Sequence, residues 1–89
     1  MPVYVDKARN RLGRMIMCHM IADTPDELHD MAAAIGMKRE WFQDTKFPHY
    51  DVSLERRKAA IKLGAVEVDR REIVALMQKI RTNSNLKQL

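Results

Sequence analysis

Apolar residues recur at every second position in two early stretches of the chain, and this period predicts β-strands. In residues 2–6 two valines alternate with less apolar side chains. In residues 15–22 the same period places His19 among apolar residues on one face and Cys18 on the other, and both faces are mostly apolar. Such a strand is typical of the centre of a sheet that is covered on both sides. A basic loop with a glycine turn is predicted between the two strands, and it contains Lys7, Arg9, Arg11, Gly13 and Arg14.

Three later stretches carry helix signals. Thr24, Pro25 and Glu27 are typical of a helix start, and the helical apolar spacing that follows continues to Gly36, where we expect the helix to end. Similar signals predict two further helices, over 54–63 and over 70–81. Their capping and stop residues are Ser53 and Gly64 for the former and Asp69 and Glu72 for the latter.

Two more strands are predicted at 49–53 and 66–68, and a short helical turn with a loop at 37–48. The order is strand, strand, helix, strand, helix, strand, helix. It predicts an α/β fold with a small mixed, partly parallel sheet of three to four strands packed by three helices. The clearest strand–helix–strand unit is 49–68.

The chain of 89 residues is 46% apolar and 31% charged, which is typical of one small domain. We expect a single globular domain over 1–81 and a polar C-terminal tail over 82–89. A domain of this size has little volume for enclosing a substrate. We therefore expect a shallow cleft that a second copy completes in a homodimer.

Neither the composition nor the N-terminus indicates a membrane segment, because no run approaches the roughly 20 apolar residues of a span. The N-terminal residues also lack the order of a signal peptide, and one cysteine, Cys18, makes no internal disulfide. These features predict a cytoplasmic protein that has no membrane partner. The formal charge of +4 is uneven, with a net −1 in residues 1–30 and +5 in 31–89. The basic part favours phosphate-bearing partners.

Several candidate site residues are expected at the carboxyl ends of strands, where open sheets bind ligands. Asp6, Asp23 and Asp51 are predicted there, and a period of two places His49 on the same strand face as Asp51. An imidazole beside a carboxylate suits an oriented general base or two ligands of a divalent metal, while the alternative is an exposed polar face. Two more histidines, His19 and His29, are predicted near this edge, and either could be a hydrogen-bonded structural residue instead.

A second group of residues could contact a ligand. Trp41 with Arg39 and Gln43 combines a flat ring with a cation and an amide, although a single tryptophan is more often a core anchor. Arg56 lies near the start of a strongly basic helix that is either a phosphate site or a solvated face. The segment MIMCHM at 15–20 does not suit a soft-metal site, because its Cys and His project to opposite strand faces. A helix-turn-helix is disfavoured, since the segment between its two helices is too long and has the alternation of a strand.

Several segments of the chain resemble a family of small bacterial and phage proteins that is known as a domain of unknown function. The resemblance covers nearly the whole chain, and its most specific segments are HMIADT followed by ELH, then WFQ, then PHYD. It implies no activity. It implies a phage or mobile-element setting, where small basic proteins often handle nucleic acid or disarm host proteins. It also implies a residue set drawn from these segments: Asp6, His19, Asp23, His29, Trp41, Gln43, His49, Tyr50 and Asp51.

The leading hypothesis is a cleft for a phosphate-bearing ligand, such as a nucleotide or nucleic acid, with metal-assisted hydrolysis as its chemistry. The predicted catalytic residues are His19, His49 and Asp51. The predicted ligands of a divalent metal are Asp6, Asp23 and His29. The predicted ligand-binding residues are Arg39, Trp41, Gln43, Tyr50 and Arg56. The alternative is a non-catalytic module that binds nucleic acid or a host protein, which steep salt dependence would indicate for nucleic acid.

Overall fold

The computed structural model describes residues 3–7, 10–12 and 15–87, and only the backbone at 10–12, 15 and 81–87. Of the predicted first strand and basic loop, Pro2, Arg9, Gly13 and Arg14 lie outside the described residues. The elements are β1 (Val3–Asp6), β2 (Asn10–Leu12), β3 (Met15–Ala22), α1 (Pro25–Ala34), a 3-10 turn (Arg39–Trp41), β4 (Tyr50–Ser53), α2 (Leu54–Lys62), β5 (Val66–Val68) and α3 (Arg70–Lys87).

Local sequence signals set the helix boundaries. Thr24, Ser53 and Asp69 each accept a hydrogen bond from the backbone N–H three residues later, at 3.3, 3.3 and 2.8 Å. Such bonds satisfy N–H groups that have no partner within the first helical turn. Gly36 and Gly64 end α1 and α2 with φ angles of 80° and 109°, a left-handed conformation that glycine adopts without strain. These features confirm the predicted starts of all three helices and the ends of the first two.

The central strand of the sheet is β3, which pairs antiparallel with β1, β2 and β4. At Met20, β3 pairs with β1 on one edge and β4 on the other, and at Met17 it pairs with β2 and β4. Since β4 occupies the same edge in both places, β1 and β2 share the opposite edge. The five strand segments therefore fill four positions, in the order β4, β3, β1 with β2, and β5.

The outermost strand, β5, pairs in parallel with β1 and makes the sheet mixed. The strands β4 and β5 also run in the same direction and are joined by α2, although β3 and β1 lie between them. The α/β fold with a partly parallel sheet and three helices is thus confirmed. The direction of β3 is opposite to that of β1, β4 and β5, so its carboxyl end lies at the other end of the sheet.

Each face of the sheet buries its own apolar cluster. On the face covered by α1 and α2, Val5, Met20 and Val52 are fully buried. On the face covered by α3, Ile21 packs with Ile73 and Ile80 of that helix. The central strand is therefore covered on both sides, as its two apolar faces predict.

Two elements differ from the predicted ones. The first is β2, which forms where a loop was expected, because this segment continues along the edge of β3 that β1 occupies. The second is α3, whose backbone stays helical to Lys87 instead of ending at 81. Residues 82–87 contain neither glycine nor proline, so no residue there interrupts the helical backbone.

Candidate functional site

A row of polar residues crosses the otherwise apolar face of the sheet that α3 covers. The strand register pairs His19 of β3 with Asp51 of β4. On the other edge of β3, the pairing of Val5 with Met20 brings Asp6 next to His19. Three neighbouring strands thus place an acid, an imidazole and a second acid in one line. This juxtaposition unites residues that are far apart in sequence.

The carboxylate of Asp6 holds His19 by two hydrogen bonds. The backbone N–H of His19 donates to Asp6 Oδ1 at 2.9 Å, and the ring nitrogen Nδ1 lies 2.7 Å from Asp6 Oδ2. Because an ionised carboxylate only accepts hydrogen bonds, we assign the proton to Nδ1 of the neutral ring. Asp6 is 1% exposed, so its position is fixed by the surrounding protein. The lone pair on Nε2 of the neutral His19 ring is then free to bind a cation.

His49, which directly precedes β4, is held by a pair of backbone hydrogen bonds with Gln43, called here the clasp. Gln43 and His49 exchange two backbone hydrogen bonds, at 2.8 and 3.2 Å, in an isolated β-bridge. The ring Nδ1 of His49 lies 2.7 Å from the carbonyl oxygen of Phe47, so Nδ1–H donates there. Its Nε2 lies 3.4 Å from Asp51 Oδ1. His49 is therefore held in the same tautomer as His19, with its Nε2 directed at Asp51.

Three electron-pair donors consequently meet at one point: His19 Nε2, His49 Nε2 and Asp51 Oδ1. These atoms all lie within 4.8 Å of one another, and His19 Nε2 is 4.0 Å from Asp51 Oδ1. Lone pairs facing one another repel unless a cation, either a proton or a metal ion, lies among them. The hydrogen bond to Asp6 raises the pKa of His19 above its usual 6.5, with added attraction from the charges of Asp6 and Asp51, while burial opposes the rise. The arrangement thus favours a positive charge.

The polar row opens into a cleft of about 360 Å³ between the sheet and α3. Asp6, His19 and His49 line one side of it, and Arg70 from the first turn of α3 lines another. The remaining wall is apolar apart from one hydroxyl, and is made by Thr45, Phe47, Ile73, Val74 and Met77. The cleft therefore brings together two imidazoles, the Asp6 carboxylate, an arginine and an apolar surface.

Two predicted metal ligands lie elsewhere, which corrects the expectation that they join Asp6. Asp23 follows β3, and because β3 runs antiparallel to β1, Asp23 lies beside the start of β1. There it neighbours Tyr4, whose pKa is raised chiefly by burial and also by the charge of Asp23 and a hydrogen bond with it. His29 lies on the opposite face of the sheet. Its Nδ1 is 2.7 Å from the hydroxyl of Tyr50.

The predicted ligand-binding residues also lie away from the cleft. Tyr50 is fully buried in the apolar cluster under α1 and α2, where burial raises the pKa of its phenol. Trp41 contacts Arg56, whose guanidinium carbon lies 5.4 Å from the ring centroid. Arg39 lies near Tyr50, and its charge opposes the rise in the Tyr50 pKa. Gln43 contributes a backbone clasp to His49, and its exposed side chain is not among those that line the cleft. The single composite site expected from the sequence is therefore divided by the sheet.

The arginine at the cleft is Arg70, which the sequence-based site did not include. A usable signal existed in the predicted strand–helix–strand unit 49–68, because such a crossover makes its two strands parallel and puts their carboxyl ends at the edge where Asp6 and Asp51 were expected. The carboxyl ends of parallel strands share one edge of a sheet, so the start of α3 had to lie near Asp6.

Comparisons with known proteins give a family and no activity. Residues 3–80 match the family described as "Protein of unknown function (DUF4031)". No curated protein and no solved structure shows a significant match. Within the described part of the chain, no helix is long and apolar enough to cross a membrane.

Proposed function

This chain belongs to the family of proteins of unknown function DUF4031, and we propose that its cleft binds a divalent metal ion together with a phosphate-bearing ligand. The observation that carries this proposal is the convergence of His19 Nε2, His49 Nε2 and Asp51 Oδ1. Two imidazoles and one carboxylate form a donor set that suits Zn²⁺, Mn²⁺ or Fe²⁺ and leaves coordination positions open for water or substrate.

The surroundings of the two histidines support a metal centre. Imidazole ligands of metals usually donate their second N–H to a carboxylate or a backbone carbonyl, which fixes the ring and its tautomer. His19 has the former arrangement, through Asp6, and His49 has the latter, through Phe47. Asp6 is thus proposed as a positioning residue, and the predicted catalytic residues His19, His49 and Asp51 as the metal ligands.

The charge around the cleft supports a phosphate-bearing ligand. Arg70 lines the cleft, and an arginine guanidinium pairs with two phosphate oxygens at once. A bound divalent ion would polarise a phosphoryl group and acidify a water molecule for attack on it. Phe47, Val74 and Met77 give the cleft an apolar wall against which the uncharged part of such a ligand could pack.

Hydrolysis through a protein nucleophile fits the site less well. The hydroxyl among the described residues that line the cleft is that of Thr45, and it already donates a hydrogen bond to the carbonyl oxygen of Phe47 at 3.2 Å. His19 Nε2 faces a carboxylate and a second imidazole instead of a hydroxyl or thiol. Water is therefore the nucleophile that this geometry favours.

Metal titration of the purified chain tests the proposal. Calorimetry with Mn²⁺ or Zn²⁺ should show one ion bound per chain, and the absorption spectrum with Co²⁺ should report mixed nitrogen and oxygen ligation. The H49A and D51N substitutions should each weaken binding by on the order of 100-fold or more, because each removes one of three ligands. The matched control is H29Q, which changes a histidine on the other face of the sheet and should bind metal as the unaltered chain does.

Phosphate chemistry is tested separately with bis(p-nitrophenyl) phosphate as the substrate. We expect metal-dependent hydrolysis that R70A reduces without loss of the metal, whereas R71A on the same helix leaves it unchanged. Absence of saturable metal binding below about 1 mM would overturn the metal centre. Metal binding without hydrolysis, and without competition from inorganic phosphate, would overturn the phosphate part alone.

A further inference from the structure

A second charged surface lies on the other side of the sheet from the cleft. We propose that it binds single-stranded nucleic acid, by stacking of a base on Trp41 and by contact of phosphates with the cations around it. The surface is called here the tryptophan face, and it consists of Lys38, Trp41, Arg56, Lys58 and Lys62. It shares no residue with the proposed metal centre.

The exposure of Trp41 is the first observation. This residue is the only tryptophan of the chain, and it is 42% exposed at the end of the 3-10 turn. The neighbouring Phe42 packs against the apolar cluster under α1 and α2 and anchors this segment to the core. Trp41 is therefore not needed as the local core anchor. A large flat ring that remains in solvent is a platform on which any base can stack.

Cations surround this ring. The guanidinium carbon of Arg56 lies 5.4 Å from the Trp41 ring centroid, and the Lys38 ammonium lies 5.8 Å from it. Both cations lie over the ring at cation–π distance, and Trp41 is nevertheless 42% exposed, so part of the ring remains accessible to a base. A nucleotide whose base stacks on Trp41 would bring its phosphate within reach of both charges.

The basic surface continues along α2. Arg56, Lys58 and Lys62 line an open groove of about 530 Å³ together with Ser53, Ala59 and Glu55 of the same region and Ile35 at the end of α1. Among the described residues, none of the carboxylates forms an ion pair with Arg56, Lys58 or Lys62.

Arg57, next to Arg56 in the sequence, differs from the cations of the groove because it is paired within the fold. It donates to the backbone carbonyl of Asp6 at 2.8 Å and pairs with Glu67 at 2.7 Å. Arg57 is thus used within the fold, whereas the cations of the groove remain available to a partner.

The exposed Trp41 ring and the neighbouring cations together favour single-stranded nucleic acid as the partner. An exposed aromatic ring beside a row of unpaired cations fits a polyanion whose bases are free to stack, which excludes a duplex with its bases paired. Glu40 and Glu55 lie near this surface and reduce its charge, but its four cations, Lys38, Arg56, Lys58 and Lys62, outnumber them. A polyanion therefore remains the complementary partner.

The fluorescence of Trp41 provides a direct test, since no other tryptophan contributes to the signal. The probes are the 20-nucleotide homopolymers dT20 and rU20, and EDTA is present so that the metal centre takes no part. Both should quench the emission in a saturable way at ~50 mM salt, and the affinity should fall steeply by ~200 mM. Comparison of dT20 with rU20 shows whether the sugar is also recognised.

Substitutions separate stacking from simple charge attraction, with binding followed by the anisotropy of labelled oligonucleotide. W41A should weaken binding about tenfold or more, and W41F should restore part of it, because a stacked base contributes that order of affinity. The double variant K58A/K62A should also weaken binding and reduce the salt dependence. Its matched control is R71A/K79A, which removes the same charge from α3 and should have little effect.

Four results would overturn the inference. They are no quenching at ~50 mM salt, an equal loss of affinity in R71A/K79A and K58A/K62A, equal binding of a 20-base-pair duplex, and equal binding and quenching by poly-glutamate. The last would indicate an acidic protein partner. The variant H49A should bind dT20 normally even if it no longer binds metal, so failure of this inference and failure of the proposed metal centre are distinguishable.

Discussion

Each face of the sheet holds a histidine that contacts a buried side chain. The partner is a neutral tyrosine hydroxyl on one face and a carboxylate on the other. On the face under α1, His29 contacts the hydroxyl of Tyr50 at 2.7 Å and packs edge-on against the Phe42 ring, with ring centroids 4.7 Å apart. On the face under α3, His19 contacts the Asp6 carboxylate at 2.7 Å and approaches a second carboxylate, that of Asp51.

The comparison indicates that the hydrogen-bond partner of a histidine, more than its burial, determines whether the ring serves as a neutral structural group or favours a positive charge. A phenol and an aromatic ring satisfy a neutral imidazole, whereas two carboxylates stabilise a positive charge on it or beside it. His29 therefore fits a structural hydrogen bond within the core. His19 lies where a proton or a metal ion is electrostatically favoured.

The substitution D6N removes the carboxylate that holds His19, and it should have the largest effect of the three tests of this comparison. The introduced amide keeps the acceptor for the backbone N–H of His19, but its NH₂ group can donate to His19 Nδ1 and shift the ring proton to Nε2. A protonated Nε2 cannot bind metal. Metal affinity measured by calorimetry should fall about 10- to 100-fold, the usual effect of such a partner, with the circular dichroism spectrum unchanged. Unchanged affinity would show that Asp6 does not orient His19.

The substitution Y50F is the matched change on the neutral side. It removes only the hydroxyl that bonds His29, so the free energy of unfolding should fall by about 1 kcal/mol. Urea denaturation measures this loss. Metal affinity should stay within about twofold of the unaltered chain, because a hydrogen bond on the far face is not shared with the site. A large loss of metal affinity would show that the two faces are coupled.

The third test of the comparison is the pH dependence of the free energy of unfolding, for which we expect the smallest effect. The raised pKa of His19 means that its proton stabilises the fold, so this contribution is complete below 6.5 and is lost as pH rises through the folded-state pKa. With EDTA present, the free energy of unfolding of the unaltered chain minus that of H19Q should therefore decrease as pH rises from 6.5. The titratable and charged groups that face His19 are Asp6 of β1, Asp51 of β4, His49 directly before β4 and Arg70 of α3.

With a metal ion bound, the difference in free energy of unfolding between the unaltered chain and H19Q should instead increase with pH. The ion needs the unprotonated Nε2, so metal affinity increases with pH over the same interval and binding releases a proton. If the H19Q difference instead grows with pH in EDTA, the proton on His19 does not stabilise the fold.

Local features of the fold follow directly from the sequence. The helix caps at Thr24, Ser53 and Asp69 involve residues three positions apart, so their chemistry is readable without tertiary information. The alternation in β3 likewise predicts which residues share a face, because the side-chain period of a strand does not depend on its partners.

The direction of β3 was the step that the sequence pattern left open. An antiparallel central strand puts Asp23 at the far end of the sheet and brings His19, from the middle of the strand, between Asp6 and Asp51. Alternation reports the face of a residue and not the identity of the neighbouring strand. Tyr50 and Asp51, adjacent in sequence, lie on opposite faces because strand side chains alternate, so a site that combines them would require a path through the sheet.

The clasp between Gln43 and His49 gives the candidate site one adjustable member. His19 and Asp51 are held in register by the hydrogen-bond ladder of β3 and β4, so the distance between their strands is set by the sheet. His49 is instead carried by a loop, residues 44–48, that closes at the clasp. Loops change length and sequence more readily than paired strands during evolution. Variation in 44–48 would therefore move His49 relative to His19 and Asp51 and, in the proposed metal centre, change the ionic radius that fits among them, while the rest of the domain stays the same.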